Sequence, residues 1–443
     1  MTDSSTDSAS RRLRRVLGVG FGLAVIVGST LGVGILRTPG MVAGALQTPS
    51  TTLIVWLAGG LYTLLGSICL TELGTMAPQA GGYYVYARRA FGDVVGFAVG
   101  WTDWLTYCAV LGYASIGMAE FAGMLSPALA GAVRPAAIVI LIAFVALQWA
   151  GIRVSSRFQE VTTALKFLAF LALVVAALAL SGHVRPVTIT APLPPVTLAG
   201  VIAAIQAVVI SYGGWQSALY FTEEDRDPNR NLPRAMIGGV LAVIVIYTLV
   251  NIALLVLLPI EELAVSPLPA AAAAERIVGP AGLEVLTVIS IVSLPPLLNA
   301  IMMIGTRILY ALGRDGLFFA RTASVNAGGT PDVAAVVTTI VAVGLIATGT
   351  FQRLIAMASF FLAANYCICC LALFALRHRE PATPRPFRAW GYPWSAAIVF
   401  AGAVAFLAGT LVGDTTNALA AVGLAAVGVV VKQITPGVVL RKT

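Results

Sequence analysis

The apolar residues of this chain fall in long uncharged blocks, not at the spacing of a surface helix or a half-buried strand. Val16 to Leu36 contains no charged residue, and neither does Val240 to Pro259. About 20 apolar residues suffice to cross roughly 30 Å of hydrocarbon. Twelve blocks reach or approach that length: 16–37, 50–73, 93–124, 136–152, 160–181, 197–222, 235–258, 282–312, 333–350, 353–376, 394–413 and 416–432. The pattern predicts an all-α membrane protein with twelve transmembrane helices. Arg11 to Arg15 followed by the first block superficially resembles a secretory leader, but that block is too long and many more follow it. Residues 1–10 are rich in Ser, Thr and Asp, and a disordered cytoplasmic N-terminus is expected over 1–15.

Composition removes the soluble alternative. Of 443 residues 59% are hydrophobic and 10% charged, where a soluble chain carries about 25% charge. The net charge of +8 does not point to nucleic acid, because the basic residues sit between the blocks. One set of alternate connections holds twenty Lys and Arg and the other set five. That bias places both termini in the cytoplasm, with the chain multi-pass in the plasma (inner) membrane. Cys69, Cys108, Cys367, Cys369 and Cys370 all lie inside apolar blocks. The Cys-x-Cys-Cys cluster has no His or acid nearby to complete a site, so neither a metal nor a disulfide is expected. His183 and His378 fall in loops and carry no signal.

Two blocks are interrupted. The first reads Gly28-Ser29-Thr30-Leu31-Gly32-Val33-Gly34 and the sixth Ser211-Tyr212-Gly213-Gly214-Trp215, both at mid-depth. Glycine costs about 1 kcal/mol in a helix interior, and unsatisfied backbone in hydrocarbon costs far more. Such clusters make sense where a helix opens onto a polar cavity, with free N–H groups at one half-helix start and free carbonyls at the other half-helix end. The carboxylate and ammonium of an α-amino acid match that pair. Breaks in the first and sixth spans are the sequence mark of inverted repeats with a site at the midplane. The repeats would be 16–181 and 197–376, with 394–432 appended and 433–443 a cytoplasmic tail. Glycine-packed helix crossings are the plainer alternative.

The string SYGGWQSALYFTEEDRDPNRNLP, Ser211 to Pro233, closely resembles the sixth-span signature of the amino acid–polyamine–organocation (APC) superfamily, most of all its L-amino acid transporter branch. Gly28 to Leu36 with Pro39 resembles the first-span element. Glu72-Leu73-Gly74 followed by Pro78, Gly81, Gly82, Tyr83 and Tyr86 resembles the second-span tail, and Arg307, Tyr310 and Arg314-Asp315-Gly316 the end of the eighth span. The resemblance covers roughly residues 16–390. It implies a leucine-transporter-type fold of five-plus-five inverted repeats with discontinuous helices 1 and 6, carrying amino acids by alternating access. By resemblance the substrate carboxylate would meet the N–H groups of Gly32, Val33 and Gly34, and the ammonium the carbonyls of Thr30, Ile210 and Gly213. Ser29, Tyr107, Gly214 and Trp215 complete the expected substrate-binding set. Val33 replaces the commoner Ser, which removes a hydroxyl and keeps the backbone donor. Ile210 stands where many relatives carry a large aromatic, so gating would fall to Trp215, Tyr212 or another group.

Lys166 lies within the fifth block, where a charge is costly and marks function unless the side chain snorkels to the surface. In sodium-independent members of the family a fifth-span Lys occupies the region where sodium-coupled relatives hold an ion. The resemblance therefore implies sodium-independent exchange or proton-coupled uptake through Lys166. Asp103 and Glu72 are expected to pair structurally with Arg. Glu223 and Glu224 are expected to form a cytoplasmic cap network with Arg226 and Arg230. No unmatched acid is visible near the breaks, which favours a neutral L-amino acid over the alternative of a cationic amino acid or polyamine. A channel would show repeated polar pore positions and an enzyme a mid-membrane catalytic constellation, and neither is present. No cofactor is expected. Some relatives bind a single-span partner through an outer-loop cysteine, which this sequence lacks, so no disulfide-linked subunit is expected and a monomer or weak dimer is the simplest state.

Overall fold

The computed structural model describes residues 13–32, 34–180, 193, 195–266, 268–349 and 351–434. The expectations placed on residues 1–12, Val33, His183 and 435–443 lie outside the described residues. Among the described residues the fold is built from helices, with no strand beyond an isolated bridge between Leu17 and Asp225. In chain order the helices are α1 (Val19–Thr30), α2 (Gly34–Leu46), α3 (Pro49–Met76), α4 (Tyr83–Phe91), α5 (Asp93–Leu125), α6 (Pro127–Ala130), α7 (Val133–Trp149), α8 (Ile152–Leu180) and α9 (Leu198–Ser211). A 3₁₀ segment, Trp215–Phe221, follows α9. The chain continues with α10 (Pro228–Leu257), α11 (Ile260–Val265), α12 (Pro269–Val278), α13 (Gly282–Arg314), α14 (Asp332–Thr348), α15 (Phe351–Arg379), α16 (Trp394–Gly413) and α17 (Thr415–Ile434).

Nine described stretches are long and apolar enough to cross a membrane, and ten if α1 and α2, bent by 48° at their break, form one span. The apolar helices α7 and α14 have 17 residues each, about 26 Å at 1.5 Å per residue. Helix starts follow local chemistry. Thr48 caps α3, its hydroxyl accepting from Thr51 N–H at 3.3 Å, and Thr197 caps α9, accepting from Gly200 N–H at 3.1 Å. Three helices run beyond their apolar blocks. α8 begins at Ile152 and α10 at Pro228, because Arg153, Arg157, Arg230 and Arg234 end an apolar block without ending a helix. α2 continues past Arg37, which is exposed at a cavity mouth.

The core forms where α5 packs on α13 and α15, and where α1 packs on α8, α10 and α13. One group of polar side chains inside it is linked by hydrogen bonds. Asn299 of α13 accepts from Gln148 of α7 at 2.8 Å and donates to Gln159 of α8 at 2.9 Å. Gln159 and Thr163 in turn donate to the Ala24 carbonyl of α1 at 3.3 and 3.0 Å. Gly28 permits that approach, since a Cβ there would stand 2.4 Å from both Gln159 Nε2 and Thr163 Oγ1.

Ion pairs close one end of the bundle. Arg307 and Glu224, both fully buried, form a two-bonded pair at 3.0 and 3.1 Å. Glu72 accepts from Arg377 at 2.8 and 2.6 Å and from the Ala389 N–H at 2.7 Å, which matches the expected pairing with Arg. The cap network differs from expectation in its partners. Glu223 bonds Arg314 at 2.6 Å and Glu224 bonds Arg307, while Arg230 pairs with Asp227. The turn after the 3₁₀ segment aims both glutamates at α13 and leaves Arg226 and Arg230 outside. Arg307→Met should destabilise the protein by about 3–5 kcal/mol, because it strands the Glu224 charge. Adding Glu224→Gln should recover part of that loss in a double-mutant cycle of thermal unfolding in detergent.

Candidate functional site

Two interrupted helices meet at their breaks. α1 ends at Thr30 and α2 starts at Gly34, while α9 ends at Ser211 and the 3₁₀ segment starts at Trp215. α1 packs on the 3₁₀ segment and α2 on α9, so the two broken spans run antiparallel. Ser29 draws the breaks together. Its hydroxyl donates to the Val25 carbonyl at 2.5 Å and lies 3.0 Å from the Gly214 carbonyl and 2.8 Å from Ser217 Oγ. Gly214 has φ +113°, and a Cβ there would stand 2.7 Å from the Ser29 carbonyl carbon. Only glycine satisfies both the backbone angle and the contact.

Two residues from neighbouring helices hold the opened ends. Lys166 of α8 has 0% exposure and donates from Nζ to the Gly28 carbonyl at 2.8 Å. Its ammonium is turned into the protein, not toward a membrane surface. Tyr247 of α10 places its hydroxyl 2.7 Å from the Thr30 carbonyl and 2.8 Å from the Ser211 carbonyl. One phenol therefore touches the last helical residue of both α1 and α9. Its ring is fixed by Trp56 at 5.5 Å and Tyr212 at 4.9 Å between centroids.

A cavity of about 120 Å³ lies beside the breaks, lined by Ser29, Tyr107, Ile210, Gly213, Gly214 and Gln216 among others. None of the described residues lining it is charged. Its far wall is apolar, from Val110, Leu297, Ile301, Leu362 and Phe406, with Tyr62, Thr106 and Ser359 as polar points. A second cavity of about 350 Å³ shares Ser29, Ile210 and Gly213 with the first and adds Thr30, Gly32 and Gly34. It widens toward Arg37 of α2 and Glu120 of α5, both exposed.

The matching family model is that of the amino acid permeases, and it covers residues 22–431. The chain belongs to the amino acid permease family. The permease is 28% identical to the serine/threonine exchanger SteT of Bacillus subtilis over 91% of this chain and 93% of that protein. It is 28% identical to the b(0,+)-type amino acid transporter 1 of Mus musculus, over 87% of this chain and 80% of that one. The methylthioribose transporter of B. subtilis is also 28% identical, over 87% and 86% of the two chains. The permease is thus a multi-pass membrane transporter and not an enzyme.

Most of the residues singled out in the sequence converge on these cavities. Ser29, Thr30, Gly32, Gly34, Tyr107, Ile210, Gly213 and Gly214 line one or both. The Thr30 carbonyl already accepts from Tyr247 and the Ile210 carbonyl from Gly213 N–H at 2.9 Å, and each keeps a second lone pair. Trp215 does not face the substrate space as expected. The tight turn at Gly214 directs its ring behind the cavity, against Tyr366 at 5.5 Å and under Gly66. Gln216 points inward in its place. It bonds Tyr366 at 3.1 Å and Tyr107 at 3.5 Å. Gln216 had a legible signal, a polar amide just past a mid-membrane break. Tyr62, Tyr366 and Tyr247 had none, since each looks like one more aromatic in an apolar block.

The end opposite Arg37 and Glu120 is shut. Tyr220 of the 3₁₀ segment packs against Tyr83 of α4 and Tyr107 of α5, with centroids 5.8 and 5.4 Å apart. Beyond them Arg88 bonds Asp93 and Asp315 at 2.6 and 3.0 Å, and Arg89 bonds Glu380 at 2.6 Å, which holds the Glu380 carboxyl below its usual range. Tyr247→Phe keeps the ring and removes the shared donor from the Thr30 and Ser211 carbonyls. Thermal unfolding of the purified permease should show a loss of about 1–3 kcal/mol.

Proposed function

We propose that this permease is a twelve-span carrier that moves neutral L-amino acids by alternating access, without sodium, through exchange or proton-coupled uptake. The observation that carries the reading is an inner cavity with no charged side chain among its described lining residues, beside the two breaks; Arg37 and Glu120 line only the outer cavity that adjoins it. The first N–H groups of a helix have no intrahelical partner, so the start of α2 suits a carboxylate, and the carbonyls at the ends of α1 and α9 suit an ammonium. The uncharged walls suit a side chain without charge. The names of two relatives, a serine/threonine exchanger and a b(0,+)-type amino acid transporter, support the cargo class.

The antiparallel pairing of the two broken spans supports a five-plus-five inverted repeat over 16–181 and 197–376, with 394–432 added. The bias of basic residues supports cytoplasmic termini in the plasma membrane, which would make the open vestibule face outward. Ser29, Thr30, Gly32, Val33, Gly34, Tyr107, Ile210, Gly213 and Gly214 form the proposed binding set, with Gln216 added. Lys166 supplies a fixed positive charge against the Gly28 carbonyl, in place of a coupling cation. A second reading, a neutral thioether sugar as cargo, has the methylthioribose transporter in its favour.

Counterflow in liposomes with a panel of labelled amino acids and methylthioribose should show uptake of neutral amino acids with sodium replaced by choline. Lys166→Ala removes a charge-assisted hydrogen bond worth about 1.5–3 kcal/mol, so the rate should fall about ten- to a hundredfold. Absence of counterflow with every amino acid would sink the cargo reading. A strict sodium requirement would sink the role of Lys166.

A further inference from the structure

Asp103 lies ten residues into α5 and is fully buried. One carboxylate oxygen accepts from the Tyr220 hydroxyl at 2.8 Å, and the other has no hydrogen-bond partner among the described residues. The arginine pairing expected for it is not what the fold provides. Arg307 of α13 is committed to Glu224, and Arg314 to Glu223 and Asp315. The titratable groups that face Asp103 are Tyr220 of the 3₁₀ segment, Tyr83 of α4, Tyr366 and Cys369 of α15 and Tyr107 of α5 itself. All are uncharged in their ordinary forms. On the other helices packed against α5, Arg134 of α7, Asp332 of α14 and Lys432 of α17 sit in terminal turns, as do Arg377, His378 and Arg379 of α15. A buried carboxylate without a cation must be compensated by hydrogen-bond donors or by a proton. Here one oxygen has a donor and the other does not.

The position of the acid ties it to both the cavity and its closure. Tyr107 and Tyr366 line the inner cavity, and Gln216 links them. Tyr107 meets Tyr220 edge-on and its hydroxyl is hydrogen-bonded to that of Tyr220, so polar groups lead from the cavity to Asp103. Tyr220 is also part of the plug. Its ring lies so close to Gly82 that a Cβ there would stand 2.3 Å away, and it abuts Tyr83. The residue that blocks passage toward α4 is thus held by the unpaired acid.

We infer that Asp103 is a proton-binding site of this permease and that its protonation releases Tyr220, so that opening toward α4 carries a proton together with the solute. The inference rests on the carrier reading above. A proton from cavity water bonds to a carboxylate oxygen and makes the neutral acid. The bond from Tyr220 then loses its ionic partner, and hydrogen bonds to ionised groups are roughly twice as strong as neutral ones. With the plug loosened and the α4 side open, the proton leaves to water on that side. Uptake therefore rises as pH falls on the cavity side, and Asp103→Asn stays permanently in the released form.

The test uses the purified full-length permease in liposomes. One proton per solute and one unit of pH difference support up to about tenfold accumulation. Wild type should accumulate a neutral amino acid toward that ratio, and Asp103→Asn should exchange it without accumulation, at a rate that no longer varies with pH. Asp103→Glu should keep the pH dependence with a shifted midpoint. In infrared difference spectra between acid and neutral pH, wild type should show a protonated-carboxyl C=O band that Asp103→Asn lacks. Accumulation by Asp103→Asn equal to wild type, or persistence of the band, overturns the inference. If Asp103→Asn does not fold, an unshifted midpoint in Asp103→Glu overturns it instead. If wild type transports no amino acid at all, the cargo reading fails, and the infrared band still decides whether Asp103 takes up a proton.

Discussion

Midway along two apolar stretches, helices give up main-chain hydrogen bonds that hydrocarbon could not replace. Each opened carbonyl needs a donor from elsewhere in the protein, and much of the surrounding structure supplies one. Lys166 reaches the Gly28 carbonyl, Tyr247 reaches those of Thr30 and Ser211, and Ser29 and Ser217 reach that of Gly214. These donors come from α8, α10, α1 and the 3₁₀ segment, so the breaks organise four elements around one point. Close approach also places two glycines. A side chain at Gly28 would collide with Gln159 and Thr163, which bond the Ala24 carbonyl, and one at Gly214 would collide with the backbone of Ser29 and Thr30.

The two sides of that point are built differently. Toward Arg37 and Glu120 the walls part into a solvent-reaching vestibule. Toward α4 the path is filled by the rings of Tyr83, Tyr107 and Tyr220, and backed by the pairs Arg88–Asp315, Arg314–Glu223 and Arg307–Glu224. Aromatic packing needs exact fit but little desolvation of charge, whereas the buried Arg307–Glu224 pair is held by geometry that one displaced partner would ruin. A closure made of both responds sharply when either layer shifts.

The positions of the helices were legible because long apolar blocks have few alternatives, and both breaks were legible because glycine clusters at mid-depth are expensive unless used. What failed depended on direction or on distant partners. Trp215 and Gln216 are neighbours in sequence, and only the turn at Gly214 decides which of them faces the cavity. Arg307 and Glu224 are 83 residues apart, and nothing local joins them. Arg153 and Arg230 ended apolar blocks inside continuous helices. Tyr247 is one aromatic among several, and its hydroxyl becomes informative only once the carbonyls it serves are in place.

The segment before α1 is laced to the segment after the 3₁₀ helix by main-chain bonds. Val16 and Leu17 N–H both donate to the Glu224 carbonyl at 3.0 Å, and Arg226 N–H donates back to the Leu17 carbonyl at 3.1 Å. These bonds make a latch between the base of α1 and the base of the 3₁₀ segment, and they use no side chain. A swing of α1 away from the 3₁₀ segment must unfasten that latch, whereas a joint rotation of the two leaves it whole. The fold thus makes the two half-helices travel as a single lever by default, and no point substitution of an exposed side chain would uncouple them.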